Sequence, residues 1–377
     1  MRLRSEAKGA DTSGVLDLLR LLHYVIDEDA SDLHLKAGCR PRVRVDGQLI
    51  EAPFDSVTSE ELQAVVNELL PPERAKEFAA TNDADFATTA GGLGRFRGNA
   101  FRQRGEIGIV LRRVLPNVAT IEELGLPPVV RTLASEQRGL VLVTGPTGSG
   151  KTTTLAAMVE HINETRACNV VAIEDPIEVV HNDKLAIINQ REIGTDTNDY
   201  VGAMRRVLRQ DPDVILIGEM RDPETVAAAL SAAETGHLVL STLHTSNATE
   251  TVNRIVDFFP AFQQHQIRFT LSSCLKGVIC QRLLERADEI GRVPAVEVMV
   301  MTGRIADRIV EPATGKAETI EEMIAGGEWY GMQTFDQSLL TLYQDGAVTL
   351  RQAMAAASKP HDFRLALEHA GLVSVGR

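Results

Sequence analysis

Apolar residues recur at helical spacing over 15–25, with Leu16, Leu19 and Leu22 on one side and Leu18 and Leu21 beside them. That spacing predicts a helix buried along one face. Over 42–50 the period changes to two. Arg42-Val43-Arg44-Val45 meets the turn dipeptide Asp46-Gly47, and Gln48-Leu49-Ile50 follows, which predicts a hairpin. Thr58-Ser59-Glu60-Glu61 has the form of a capping box, so a helix is expected through Leu70, stopped by Pro71-Pro72. Arg95-Phe96-Arg97 and the stretch 107–113 alternate as strands. Residues 115–128 hold three prolines, one glycine and few strand formers, and predict a connection long enough to let two domains rotate.

From Gly139 the pattern changes. Short apolar, strand-like runs over 140–144, 170–173, 214–218 and 238–243 alternate with helical stretches over 151–164, 200–209 and 223–234. Such alternation predicts a parallel sheet covered by helices on both faces. Beyond 249 the chain reads as mostly helical, with one further strand over 293–301. The expected architecture is therefore an α/β core preceded by a small α+β domain and followed by a helical C-terminal region. The expected boundaries are 1–114, a linker over 115–128, a core over 129–301 and a tail over 302–377.

Composition narrows the class. The chain has 377 residues, 44% hydrophobic and 24% charged, which suits a soluble protein with full cores. No apolar run is long enough to span a bilayer, and residues 1–14 lack the apolar stretch of a secretory signal, so a cytoplasmic location is expected. A net charge of −13 gives no general footprint for nucleic acid, and none is expected as a partner. The four cysteines, Cys39, Cys168, Cys274 and Cys280, include no CxxC pair, so neither a zinc site nor a disulfide framework is expected.

One motif carries chemistry outright. Gly145-Pro146-Thr147-Gly148-Ser149-Gly150-Lys151-Thr152 fits GxxxxGK[ST], follows a predicted strand and opens a predicted helix. Glycines let successive N–H groups wrap around phosphates, and the helix N-terminus adds partial positive charge. Lys151 is then expected at the β- and γ-phosphates and the Thr152 hydroxyl on Mg²⁺, with Thr153 completing the loop. Glu219 ends the apolar run 214–217 after Gly218, where a parallel sheet presents ligand-binding groups. It is expected either to polarise the attacking water or to hold a hydrated metal. Glu174 and Asp175 end the preceding strand, and Glu174 is the favoured member of the pair for positioning a nucleophile or metal-bound water. His237 and His244 flank 238–243, at opposite ends of one strand and on opposite faces.

These residues together resemble the secretion and pilus ATPase superfamily, and specifically the PilT-type twitching-motility ATPases. The resemblance rests on Ser31-Asp-Leu-His-Leu35 with Val43-Arg-Val-Asp-Gly47, on Gly94-Arg-Phe-Arg97, and on the loop Gly145 to Thr154. It rests further on Ile173-Glu-Asp-Pro-Ile-Glu178, Leu208 to Asp222, Glu234-Thr-Gly-His237, Leu243-His-Thr245 and Gly331-Met-Gln-Thr-Phe-Asp-Gln337. It implies a homo-hexameric ring whose subunits pair a PAS-like N-terminal domain with a RecA-like P-loop core, with ATP and Mg²⁺ between them. It also implies that Arg95, Arg97 and Arg112 act on the phosphates, that Arg209 is a further interfacial arginine, and that His237 and His244 belong to the active site.

The implied work is pilus retraction. It would act through an inner-membrane platform protein, and on pilin only indirectly, with the ring at the cytoplasmic face of the inner membrane. Relatives that assemble pili carry a long N-terminal extension and a tetracysteine element, neither of which is found here. One stretch departs from the retraction pattern: where an Ala-Ile-Arg-type motif is expected, the sequence reads Thr302-Gly-Arg-Ile-Ala-Asp-Arg-Ile-Val-Glu-Pro-Ala-Thr-Gly315, and Glu311-Pro312 should cut that helix short.

Overall fold

The computed structural model describes residues 16–45, 47–114, 118–288, 291–313 and 317–373. The expected polar start over 1–14, Val15, Asp46 of the hairpin turn, the first three linker residues and 314–315 of the departing stretch lie outside them. Contacts divide the chain into two compact units that meet in sequence at Asn117 and Val118.

The first unit is a six-stranded antiparallel sheet in the order β3-β2-β1-β6-β5-β4. Its strands are β1 (Asp32–Lys36), β2 (Arg42–Val45), β3 (Gln48–Glu51), β4 (Asp83–Ala90), β5 (Gly94–Gln103) and β6 (Glu106–Val114). Alternation sorts the side chains by face. Leu33, Val43, Phe96, Ile109 and Leu111 form one buried cluster with the helices Leu18–Asp27, Ser59–Leu69 and Pro72–Thr81. The first helix buries Leu18, Leu21, Leu22 and Val25, a face shifted from the expected one, while Leu16 and Leu19 are only partly buried. The capping box forms: the Thr58 side chain accepts from Glu61 N–H, and Glu61 accepts from Thr58 N–H at 2.8 Å. Pro72 both follows that helix and starts the next one, at the position where a missing N–H costs nothing.

The opposite face is polar. Register places Arg97 beside Arg112, Arg112 beside Asp32, and Asp32 beside Arg44. Arg112 Nε donates to Asp32 Oδ1 at 2.7 Å, Ser31 Oγ donates to Oδ2 at 2.7 Å, and Arg44 Nε stands 3.8 Å from Oδ2. Burial pushes the Asp32 carboxyl up, but the Ser31 and Arg112 hydrogen bonds outweigh it and hold the group below its ordinary range.

The second unit contains a seven-stranded sheet in the order β13-β12-β7-β11-β10-β8-β9. Its strands are β7 (Gly139–Thr144), β8 (Asn169–Glu174), β9 (Ile187–Glu192), β10 (Val214–Ile217), β11 (Leu238–Leu243), β12 (Leu275–Glu285) and β13 (Arg292–Val300). Six are parallel to their neighbours, and β13 runs antiparallel along the edge. β7, β10 and β11 are buried throughout, each Val, Leu or Ile contributing about 1.5–3 kcal/mol. Two apolar clusters cover the faces. One gathers the helices Tyr200–Val207, Pro223–Glu234, Ala248–Asp257 and the C-terminal helices; the other gathers the helix Lys151–Thr165.

The expectation of helix beyond 249 is corrected at β12. This eleven-residue strand continues directly from the helix Ala261–Cys274 with no turn residue between them, and it pairs with β7. Its Leu, Lys, Gln and Arg residues are good helix formers, and tertiary pairing overrides that preference. The helix Gly303–Val310 does end at Glu311, before Pro312.

Close approach fixes one position in the first sheet. A Cβ on Gly98 would clash severely with Cζ of its register partner Phe86. Gly98→Ala is expected to destabilise this unit by about 1–3 kcal/mol. Adding Phe86→Leu should recover much of that loss in a denaturant-unfolding double-mutant cycle, and purely additive effects would contradict the contact.

Candidate functional site

The phosphate-type loop forms where β7 ends. Gly145 has φ 144°, and a Cβ there would collide with the Gln281 carbonyl and lie 2.5 Å from Ser149 Oγ. Gly150 caps the following helix in the left-handed conformation at φ 88°, with no side chain bonded to the helix's first N–H groups. Ser149 is 3% exposed, and its Oγ is buried with no hydrogen-bond partner. A tight glycine cradle, open N–H groups and an unfilled buried hydroxyl fit a phosphate.

The cleft beside this loop has a volume of about 590 Å³, and Gly148, Lys151, Thr152, Glu174, Glu219 and His244 are among the residues that line it. Lys151 is buried; its Nζ donates to Gly145 O at 2.8 Å and Pro146 O at 3.1 Å, and meets His244 Nδ1 at 3.4 Å. His244 Nε2 meets Glu219 Oε1 at 2.9 Å, and Arg221 pairs with Glu219 Oε2 at 2.7 Å. Because an ammonium only donates, Nδ1 of His244 is the accepting nitrogen and Nε2 carries the proton toward Glu219. The result is one polar chain, Lys151–His244–Glu219–Arg221.

Neighbouring strands set this chain in place. Thr242 Oγ1 on β11 donates to Gly218 O at 2.7 Å, and Met220 N–H donates to Thr242 O at 3.2 Å, so the turn carrying Glu219 is tied to the strand carrying His244. Burial pushes Glu219 up, but the Arg221 hydrogen bond, the neighbouring His244 and the charges of Arg221 and Lys151 hold it below the ordinary carboxylate range. Burial pulls Lys151 down, against the opposing influence of Glu219 and Glu178. Glu174 behaves oppositely to Glu219: it is 8% exposed, and burial pushes its carboxyl up to about 7, against a hydrogen bond from Gln190. Two carboxylates in one cleft thus differ in charge state near neutrality.

Other expected site residues lie elsewhere. His237 stands at the far end of β11, where Gly139 N–H donates to its carbonyl at 2.9 Å. Its Nδ1 donates to Ala232 O at 3.0 Å, in the last turn of the helix Pro223–Glu234. In this subunit it caps a helix and does not line the cleft, because a six-residue strand separates the two ends by roughly 20 Å. Arg209 is exposed just after the helix Tyr200–Val207 and is also not a lining residue. Arg95, Arg97 and Arg112 belong to the polar face of the first unit. Sequence reasoning gave no role to Thr242, Tyr200, Gln190 or Arg221. Arg221 lies two residues past Glu219 on the same turn, which was the available signal; Thr242 and Gln190 depend on strand pairing, and Tyr200 lines the cleft from the start of the helix Tyr200–Val207. Among the described residues, no cluster of three His, Cys, Asp or Glu could hold a metal ion, and no helix is long and apolar enough to cross a membrane.

Residues 11–326 match the Type II/IV secretion system protein family. The chain belongs to that family. Within it the chain is a PilT-type ATPase. It is 42% identical over 348 residues to the type IV pilus retraction ATPase PilT of Pseudomonas aeruginosa, covering 92% of this chain and 100% of the relative. It is 39% identical over 353 residues to the type IV pilus ATPase PilU of the same organism, covering 94% and 92%. A crystal structure of the pilus retraction motor PilT with bound ADP superposes with a TM-score of 0.83 at 42% identity, over 92% of this chain and 98% of that one. In this PilT-type chain the loop, Lys151, Glu174, Glu219 and His244 share one cleft.

The raised Glu174 carboxyl has a measurable consequence. Its folded value lies above 4.5, so the folded chain keeps a proton that the unfolded chain has released. The associated stability is present below about pH 4.5 and is lost as pH rises through about 7. Glu174→Gln is neutral at every pH. Its Tm relative to wild type should therefore climb between about pH 5 and about pH 8, the gap moving by about 3 kcal/mol in the variant's favour. Thermal unfolding of both proteins in a pH series without nucleotide checks this; a constant gap would contradict it.

Proposed function

We propose that this chain is an ATP-hydrolysing motor of type IV pilus retraction, acting as a homo-hexamer at the cytoplasmic face of the inner membrane on a platform protein. The observation that carries the reading is the polar chain Lys151–His244–Glu219–Arg221 beside a glycine loop, in a sequence 42% identical to a retraction ATPase over 92% of its length. The antiparallel sheet between Asp32 and Val114 supports a PAS-like domain over 1–114. The doubly covered sheet supports a RecA-like core over 129–301, with 115–128 as linker and 302–377 as tail.

In the proposed reaction the loop N–H groups and Lys151 neutralise the phosphates of ATP. The Thr152 hydroxyl, and Glu219 through water, would hold Mg²⁺, which supplies further charge neutralisation on the phosphate oxygens when bound. Glu174 takes a proton from water as its oxygen attacks the γ-phosphorus; the bond to the β–γ bridging oxygen breaks, and ADP leaves with that electron pair. A carboxyl poised near neutrality suits this transfer, whereas Glu219 is kept ionised and suits an electrostatic role. The contacts of His244 with Lys151 and Glu219 support a role for it in responding to the γ-phosphate. Arg95, Arg97, Arg112, Arg209 and His237 are proposed as further contributors from outside this cleft. Support for Arg112 comes from its fixation by the buried Asp32.

Lys151→Ala or Glu219→Gln is expected to lower Mg-ATP turnover of the purified protein roughly a hundredfold or more, and retained turnover would overturn the site assignment. In the source organism, Glu219→Gln is expected to leave excess surface pili and abolish twitching. Bald cells would instead identify a builder of the filament. The comparable similarity to PilU favours one second reading, an accessory ATPase of the same machine, and unchanged piliation would support it.

A further inference from the structure

Glu174 is held by a residue with no assigned role. Gln190 lies on β9, the strand paired with β8, and its register partner is Ala172, two residues before Glu174. Its Nε2 donates to Glu174 Oε1 at 3.0 Å and to Val179 O at 2.7 Å, and its Oε1 accepts from His181 N–H at 2.9 Å. These partners fix the carboxamide's orientation, since a carbonyl only accepts and a backbone N–H only donates. The other hydrogen bond to Glu174 comes from the Glu178 backbone.

The loop between β8 and β9 is anchored from both sides. Glu192 Oε2 accepts from Ile177 N–H at 3.0 Å. On the helix that begins at Lys151, the fully buried Asn163 accepts from Lys184 N–H at 3.0 Å and donates to Asn182 O at 2.8 Å. From that same helix, Glu160 pairs with His181 Nδ1 at 2.8 Å. Gln190 is the side chain among these that touches both the anchored loop and the Glu174 carboxyl. A carboxylate on a side chain with three rotatable bonds needs such an anchor to keep one oxygen turned toward water.

We infer that Gln190 is a positioning residue for ATP hydrolysis, its amide nitrogen fixing the Glu174 carboxyl in the orientation that activates water. This rests on the reading of Glu174 as the proton acceptor. Gln190→Met keeps the side-chain length and removes the donor. Gln190→Glu also removes the donor, and with it the bond to Val179 O, but keeps the acceptor for His181 N–H, so one of the two bonds from this side chain to the loop remains.

Each variant is made alone and with Glu174→Gln, and steady-state Mg-ATP kinetics are measured. Either single variant should lower kcat roughly ten- to a hundredfold with the KM for ATP changed less than about twofold, and neither should lower kcat further once Glu174 is Gln. Wild-type kcat in a folded Gln190 variant, with Glu174→Gln inactive, would overturn the inference and leave the Glu174 reading standing. A full further loss in the Glu174→Gln background would also overturn it, since Gln190 would then act through another group. Wild-type kcat in Glu174→Gln alone would remove the reading itself, and the inference with it.

Discussion

β7 lies in parallel register between β11 and β12, with Thr144 opposite Leu243 on one side and Cys280 on the other. β10 continues the register, Ile217 standing opposite Ser241 and Ile173. Adjacent strands therefore release their chains at one level, and Gly145, Glu174, Glu219 and His244 emerge as neighbours although nearly a hundred residues separate the first from the last. Chemistry at this edge depends on the ladder holding: slipping one strand by a residue would send its side chains to the other face. Strands buried on both faces resist such a slip because every side chain would have to repack, and the Thr144 hydroxyl finds Cys280 Sγ at 3.1 Å.

What could be read from the sequence follows the range of the forces involved. The loop Gly145–Thr152, the capping box at Thr58 and the four apolar strands depend on neighbours within a few positions, and composition reveals them. β12 and β9 owe their form to pairing partners far away, so helix-forming residues in β12 misdirected the reading. Gln190 was invisible for the same reason, since without β9 its side-chain direction is undefined. His237 and His244 were read to opposite strand ends from spacing alone, and the structure keeps them there; resemblance drew both into one site, and in this subunit only His244 lines the cleft.

The first unit shows the same limit. Arg97, Arg112, Asp32 and Arg44 come from four strands, and Asp32 and Arg112 are 80 residues apart. Alternation predicts that each faces out from an apolar sheet, but not that a single buried carboxylate gathers arginines around it. That gathering matters physically. An isolated guanidinium samples many rotamers, and one bonded through Nε keeps its two terminal nitrogens while losing most of that freedom. Asp32 thereby presents Arg112 as a pre-oriented cation within a cluster that stays net positive.

The bonds of Lys151 carry one more consequence. All three of its protons have partners: two backbone carbonyls of its own loop and the His244 ring. An arriving phosphate therefore does not meet a waiting charge but displaces ligands from it, as in a substitution reaction. Measured affinity is then the difference between two solvation shells of the same ammonium group, one made of protein and one of nucleotide. Displacing the His244 contact releases the Nδ1 side of the imidazole, so occupancy of the loop is coupled to a ring joined to Glu219.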